Sequence, residues 1–396
     1  MNSPDPPRLP EPPSEAAAVS ARLHALIRDE IDAHDGWIPF ARFMELALYA
    51  PSLGYYSAGA AKLGSDPRDG SDFTTAPELT PLFARALARP VAEILRDTKG
   101  SILELGGGSG KLAADLLLEL EALGVLPLRY DMLDVSADLR DRQAATIARR
   151  APHLAARVRW LDALPEAIDG VVIGNEVLDA MAVDCVVRGS AGWLERGIVV
   201  DRHGTLSYRD RPASEALCEA IGNAVPDADA RPIGYTSEVH RTASAFVRTL
   251  VARISDRSTL LLIDYGFPAS EYFHPQRSSG TLMAHYRHRS TPDVLARVGL
   301  QDVTAHVDFS AVARAAREAG GTVVGYTSLG SFLLDCGILQ LIDAAPDDAK
   351  RWAPQAAALQ KLLSEAEMGE LFKVIAIARS QRPATGFGSS DRSGSL

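Results

Sequence analysis

The fold turns on the stretch Ser101-Ile102-Leu103-Glu104-Leu105-Gly106-Gly107-Gly108-Ser109-Gly110-Lys111-Leu112. Apolar residues on either side of Glu104 run into four glycines within five positions. Leu112, Leu116, Leu117 and Leu120 then recur at helical spacing. This is a strand, a tight turn and an amphipathic helix in immediate succession. Glycine lets the backbone bend sharply and lie close to a ligand, at a conformational-entropy cost that a merely connecting loop avoids.

Outward from this unit the pattern repeats. Strands are expected at 101–105, 128–133, 157–160, 170–173 and 259–265, with helices at 111–123 and 137–150. Alternation of this kind marks a parallel, doubly wound α/β sheet. The rhythm breaks between 183 and 257, where turn signals at Arg188-Gly189-Ser190 and Asp201-Arg202-His203-Gly204 read as hairpins. This segment is expected to be an inserted substrate-side subdomain in a core of 101–182 and 258–380. A helix at 310–319, a strand at 321–325 and a last strand at 372–378 complete the core. Residues 17–100 read as a helical cap, with Leu23, Ile27 and Ile31 on one face and a second apolar run opening at Ala76-Pro77-Glu78. The Pro-rich residues 1–16 and the Gly/Ser/Arg-rich residues 381–396 are expected to stay outside the fold.

Two ligand classes fail against the letters of the glycine turn. A phosphate-binding Walker loop needs glycine where Leu105 stands and Ser or Thr where Leu112 stands, and the dinucleotide fingerprint needs glycine at Lys111. What survives is acid-apolar-Gly-x-Gly-x-Gly, which resembles the S-adenosylmethionine-binding motif and makes Glu104, Gly106, Gly107, Gly108 and Gly110 cofactor-site candidates. Asp134 ends the next apolar strand 24 residues beyond Gly110, suited to accept both ribose hydroxyls. The competing role, N-cap of the helix at 137, falls better to Ser136. Leu161 and Asp162 end the third strand, where an adenine would sit between apolar side chains with Asp162 accepting from its amino group. A surface acid is the plain alternative. Thr74 and Thr75 read as N-caps of the helix opening at Ala76, or as part of a closure over the cofactor's carboxylate.

Composition narrows the partners. The formal charge of −10 leaves no broad basic footprint for a phosphate backbone, so duplex nucleic acid is not expected as a partner. Cys185, Cys218 and Cys336 are odd in number and widely spaced, reading as reduced thiols in a cytoplasmic protein. Apolar runs such as Leu260-Leu261-Leu262-Ile263 are too short for a bilayer crossing, which takes about 20 residues.

Several unlike motifs occur together: Gly70-Ser71-Asp72-Phe73-Thr74-Thr75-Ala76-Pro77-Glu78, the glycine turn, Glu176-Val177-Leu178-Asp179-Ala180, Ile263-Asp264-Tyr265-Gly266, Ala305-His306-Val307-Asp308-Phe309 and Met368-Gly369-Glu370-Leu371-Phe372-Lys373-Val374. In this order, over roughly residues 40–380, the chain resembles the MidA-type methyltransferase family. That family includes the mitochondrial protein arginine methyltransferase that assists respiratory complex I assembly. The resemblance implies a class I, Rossmann-like fold and methyl transfer to an arginine of a protein substrate, giving symmetric dimethylarginine in the mitochondrial relative. Gly107 and Ser109 stand where the family commonly has Pro and Arg, Asp134 replaces Glu, Ala182 replaces Pro, and Leu329 takes the place of Gln.

Arginine chemistry makes its own demand. A guanidinium is protonated at neutral pH and needs carboxylates to localise its lone pair and direct it. Glu176 and Asp179 follow the strand at 170–173, at the sheet's carboxyl edge, and are the catalytic candidates, with Asn175 beside the cofactor. The bland reading has them capping a helix begun near Val177. Glu195 is a candidate third acid from the insertion. His285 and His288 are substrate-pocket candidates. With His306 and Asp308 they also spell a metal set, but methyl transfer needs none and no metal is expected. A non-catalytic scaffold or a small-molecule methyltransferase are the competing functions.

Overall fold

The computed structural model describes residues 10–58, 74–134, 136–342, 348–380, 385–388 and 390–396. The expected motif at Gly70–Phe73 lies outside the described residues, as do residues 1–9. Seven strands run side by side in the main sheet, β1 (Ser101–Leu105), β2 (Tyr130–Leu133), β3 (Val158–Leu161), β4 (Gly170–Asn175), β5 (Thr259–Phe267), β6 (Thr322–Ser328) and β7 (Phe372–Ala378), and a short eighth, Val307–Asp308, pairs with the end of β5. Their order across the sheet is β6-β7-β5-β4-β1-β2-β3. The pairs β1–β2, β2–β3, β1–β4 and β4–β5 are parallel, and β7 runs antiparallel to both its neighbours.

The central strands are covered on both faces, which is why they read as unbroken apolar runs. Val171, Val172, Ile173, Leu260, Leu261 and Leu262 are all buried. One face packs on helices Pro81–Thr98 and Lys111–Ala122 through Leu87, Val91, Leu116 and Leu117. The other packs on Arg241–Arg253 and Phe309–Glu318 through Val247, Leu250, Val312 and Ala316.

This arrangement moves both expected boundaries. Helix Pro81–Thr98 belongs to the sheet's own core, so the cap ends before it. Helix Arg241–Arg253 is likewise core: β4 and β5 are adjacent and parallel, and such a connection crosses back over the sheet, here on that helix. The inserted part is therefore the sheet made by Asp184–Arg188, Trp193–Val200, Leu206–Pro212 and Thr236–Val239. The N-terminal segment is not a separate lid either, because Ile38–Pro39 pairs with Trp193–Val200. Leu23, Ile27, Phe40 and Phe43 share a second core with Cys185, Ile198, Val298 and Val303.

Both ends are more ordered than composition suggests. A helix begins at Ser14, inside the segment expected to lie outside the fold, with Pro13 at its N-cap position. At the other end Phe387 is buried against Phe332 and over Gly325, Thr327 Oγ1 donates to the Ser390 carbonyl (2.8 Å), and Arg392 pairs with Glu370 (2.6 Å). One aromatic ring and one ion pair anchor a tail whose average composition is polar.

Candidate active site

The carboxyl ends of β1, β2, β4 and β5 open on a cavity of about 1160 Å³, somewhat above the usual range of about 300–1,000 Å³ for small-molecule sites. Residues 106–108, Asp134, Asn175, Glu176, Asp179, Tyr265 and His306 line it, together with Tyr49 and Tyr56 from the N-terminal segment and Glu195 from the insertion.

The glycine turn is built for close approach. A Cβ at Gly107 would stand 2.1 Å from Met132 Cε and 3.2 Å from Gln143 Nε2. Gly110 was expected at the cofactor, but it does not line the cavity. It occupies the N-cap position of Lys111–Ala122 with φ +80°, and a Cβ there would meet Gln143 Cα at 2.8 Å. Its glycine serves the packing of helix Lys111–Ala122 on helix Ala137–Arg150. Glu78, also in the cavity wall, braces the turn, taking a hydrogen bond from Ser109 Oγ while Lys111 Nζ donates to its carbonyl (2.8 Å). Glu104 lies in the cavity wall, buried, with Tyr130 donating to it (2.9 Å); burial pushes its carboxyl up to about 7.

Asp134 is held by a residue that sequence reading overlooked. Gln143 Nε2 donates to Asp134 Oδ2 (2.8 Å) and to the Gly108 carbonyl (3.2 Å), and Gln143 Oε1 accepts from Trp160 Nε1 (2.8 Å). The Ser136 amide donates to Asp134 Oδ1 (3.1 Å), and Ser136 itself caps the helix through the Leu139 amide. Asp134 is thus an oriented carboxylate at the cavity wall rather than the cap. The signal for Gln143 was a polar residue at helical spacing in the stripe of Leu139, Thr146 and Ile147 on helix Ala137–Arg150, a position the structure buries completely.

Leu161 and Asp162 do not line the cavity. Arg140 explains why: its guanidinium reaches Asp162 Oδ1 (2.6 Å), the Leu161 carbonyl (3.0 Å) and the Asp134 carbonyl (2.8 Å). The Asp162 side chain is 93% exposed on the outside of that clamp. Thr75 lines the cavity and stands at the N-cap position of Ala76–Leu79, but its side chain makes no capping bond.

The segment after β4 is not a helix, so neither Glu176 nor Asp179 is a helix cap. Glu176 sits at φ +54° in an extended-to-turn transition. The loop is shaped by Asp264, unassigned from sequence: its Oδ2 accepts from the amides of Val177 (3.1 Å), Leu178 (2.9 Å) and Asp179 (3.3 Å), and its Oδ1 from the Tyr265 amide (2.9 Å). Tyr265 then donates its hydroxyl to Asp179 Oδ2 (2.7 Å). Among the described residues, Asp179 Oδ1 and Asn175 Oδ1 are buried without a hydrogen-bond partner. Burial, then the neighbouring Asp179, pushes the Glu176 carboxyl up to about 8; burial raises Asp179 to about 6 against the Tyr265 hydrogen bond. Among the described residues neither acid has an ion-pair partner.

An aromatic wall completes the chamber. Tyr49 and Tyr56 stack at 5.6 Å, with Tyr49 donating to the Ala180 carbonyl (2.9 Å) and Tyr56 to Asp302 (3.0 Å). Glu195 lines the far side, near the Arg241–Asp184 pair (2.6 Å). His285 lines the cavity, whereas His288 is exposed on the hairpin turn at φ +57° and does not. Asp308 is turned away as the cap of Phe309–Glu318, accepting from Ser310 (3.0 Å) and Ala311 (3.1 Å).

A sheet with this strand order, its last strand antiparallel, and a ligand cavity at the first strand's glycine turn define a class I S-adenosylmethionine-dependent methyltransferase. A profile of one such family, Methyltransf_28, matches residues 84–327, and the chain belongs to that family. It is 50% identical to a protein from Burkholderia thailandensis solved with S-adenosyl-homocysteine bound, covering 98% of this chain and 100% of that one with a TM-score of 0.94. Among curated proteins it is 28% identical over 386 residues to the mitochondrial protein arginine methyltransferase NDUFAF7 of Danio rerio, covering 88% of this chain and 85% of that protein. The Caenorhabditis elegans homolog of that protein is 26% identical over 351 residues, covering 83% and 79%. S-adenosylmethionine is accordingly the cofactor.

Proposed function

We propose that this enzyme methylates an arginine side chain of a protein substrate. The observation that carries the reading is the pair Glu176 and Asp179: two carboxylates in the wall of one cavity with the glycine turn, with no ion-pair partner among the described residues. A buried carboxylate strongly favours a cationic partner, and a guanidinium presents N–H groups in a planar fork that two carboxylates can divide between them. The names of the curated relatives support the same acceptor.

The cradle at residues 106–108, the oriented Asp134 and Asn175 Oδ1, which has no partner among the described residues, fit the cofactor, with Thr75 and Glu104 beside them. Bound there, S-adenosylmethionine supplies an electrophilic sulfonium methyl. Asp179 Oδ1 accepts one guanidinium N–H, and Glu176 takes a second and holds the proton that leaves as the nitrogen is alkylated. Charge-assisted bonds of this kind contribute about 1.5–3 kcal/mol each, and alignment of donor and acceptor groups can supply about 7–11 kcal/mol of a barrier. Tyr49, Tyr56 and Tyr265 close the walls against water. Glu195 and His285 face the same space from the insertion and the hairpin, where a polypeptide substrate would enter.

The test uses protein extract from cells lacking this chain, incubated with purified protein and tritiated S-adenosylmethionine, followed by acid hydrolysis and amino-acid separation. Label in methylated arginine, with symmetric dimethylarginine the product implied by the family resemblance, is the expected result. Glu176→Gln and Asp179→Asn should abolish it while cofactor binding, followed by calorimetry, persists. Label confined to small molecules or to lysine overturns the reading.

A further inference from the structure

Glu176 and Asp179 lie on an irregular loop, and an irregular loop does not hold two carboxylates in place by itself. Its shape comes from the end of β5. Asp264, 1% exposed, collects three consecutive amides, those of Val177, Leu178 and Asp179, on one carboxylate oxygen and so dictates the path of the backbone. The Glu176 amide donates to the Ile263 carbonyl (2.8 Å), tying the start of the loop to the same strand. The next residue on β5 acts on a side chain: the Tyr265 hydroxyl holds Asp179 Oδ2 at 2.7 Å, while Oδ1 has no partner among the described residues. Tyr265 is fixed in turn by edge contacts with Phe372 (5.4 Å) and His306 (5.3 Å).

We propose that Asp264 and Tyr265 are positioning residues for methyl transfer: Asp264 fixes the course of the acceptor loop, and the Tyr265 hydroxyl orients Asp179 so that Oδ1 faces the acceptor. The inference rests on the reading that Glu176 and Asp179 bind the methyl acceptor. A tyrosine whose only duty was to fill space would need its ring and not its hydroxyl, and an Asp264 that only capped a turn would need fewer amides than the three it gathers. A hydrogen bond to a carboxylate also favours its ionised form, so the hydroxyl keeps Asp179 charged in a site surrounded by Glu176, Asp264 and Asp302.

Tyr265→Phe separates the roles, because it keeps the ring and removes the hydroxyl. With the extract-derived acceptor proteins and tritiated S-adenosylmethionine, kcat should fall about tenfold or more, the loss of one hydrogen bond to a charged group. The acid limb of the kcat/KM profile should move to higher pH, and calorimetric affinity for S-adenosyl-homocysteine should stay within about twofold. Asp264→Asn should lower kcat further, and where it unfolds the chain Tyr265→Phe still decides. Asp179→Asn serves as the reference. If it abolishes transfer while Tyr265→Phe keeps the wild-type kcat and pH profile, the positioning role is overturned alone. If Asp179→Asn itself turns over normally, the acceptor reading falls and this inference with it.

Discussion

Replacing Asp134 by Asn exchanges a single heavy atom, yet the surrounding hydrogen bonds leave it no comfortable orientation. Both carboxylate oxygens accept, one from the Ser136 amide and one from Gln143 Nε2. Asparagine has a single acceptor oxygen, so its amide nitrogen must face one of these donors. Gln143 cannot turn its own amide around to help, because its Oε1 is held by Trp160 Nε1 and its Nε2 also serves the Gly108 carbonyl. One donor is left facing a donor in a buried site, and the charge that would grip the ribose is gone. A hydrogen bond to a charged group is worth about 1.5–3 kcal/mol, which converts to about a tenfold to 150-fold weaker cofactor. Isothermal calorimetry with S-adenosyl-homocysteine measures it directly. Adding Gln143→Glu supplies an acceptor opposite the new amide nitrogen and should return part of the loss, at the expense of the bond to Gly108. An Asp134→Asn protein that binds within about threefold of wild type, or a double variant weaker than the sum of the two single ones, would refute this wiring of the site.

Gly107→Ala should change the calorimetric cofactor affinity by less than about threefold, under about 1 kcal/mol, since the nearest atoms to the new methyl, Met132 Cε and Gln143 Nε2, are the ends of flexible side chains that can give way; a larger loss would show that the turn has no room to shift. Asp162→Ala should leave that affinity within about threefold, because the acid stands outside on Arg140, and a larger loss would return it to the adenine site. The kcat/KM profile should rise between about pH 6 and about 8 as Asp179 and then Glu176 ionise. The same raised values make the free protein bind protons more tightly than its unfolded chain does. Their contribution to stability is therefore present at low pH and is lost as pH rises through about 8, so denaturant midpoints should fall toward alkaline pH, and less steeply in Glu176→Gln.

What the chain's order of residues determined was local. The strand Ser101–Leu105, the glycine turn, the helix Ala137–Arg150 and the strand Phe372–Ala378 stand where periodicity placed them, because each follows from neighbours a few positions apart. The carboxyl edge was legible for the same reason: strands end in Asp134 and in Asn175-Glu176, and their ends must share one side of a parallel sheet. Pairings across the chain decided the rest. Asp264 reaches loop amides more than eighty residues earlier, Tyr56 finds Asp302 246 positions away, and Arg140 draws Asp162 out of the cavity. The N-terminal segment is joined to the insertion by two residues of strand, and the polar tail is anchored by Phe387 and Arg392. No periodicity records such contacts, since each depends on how packed layers bring distant side chains to within about 3 Å, where a hydrogen bond acts.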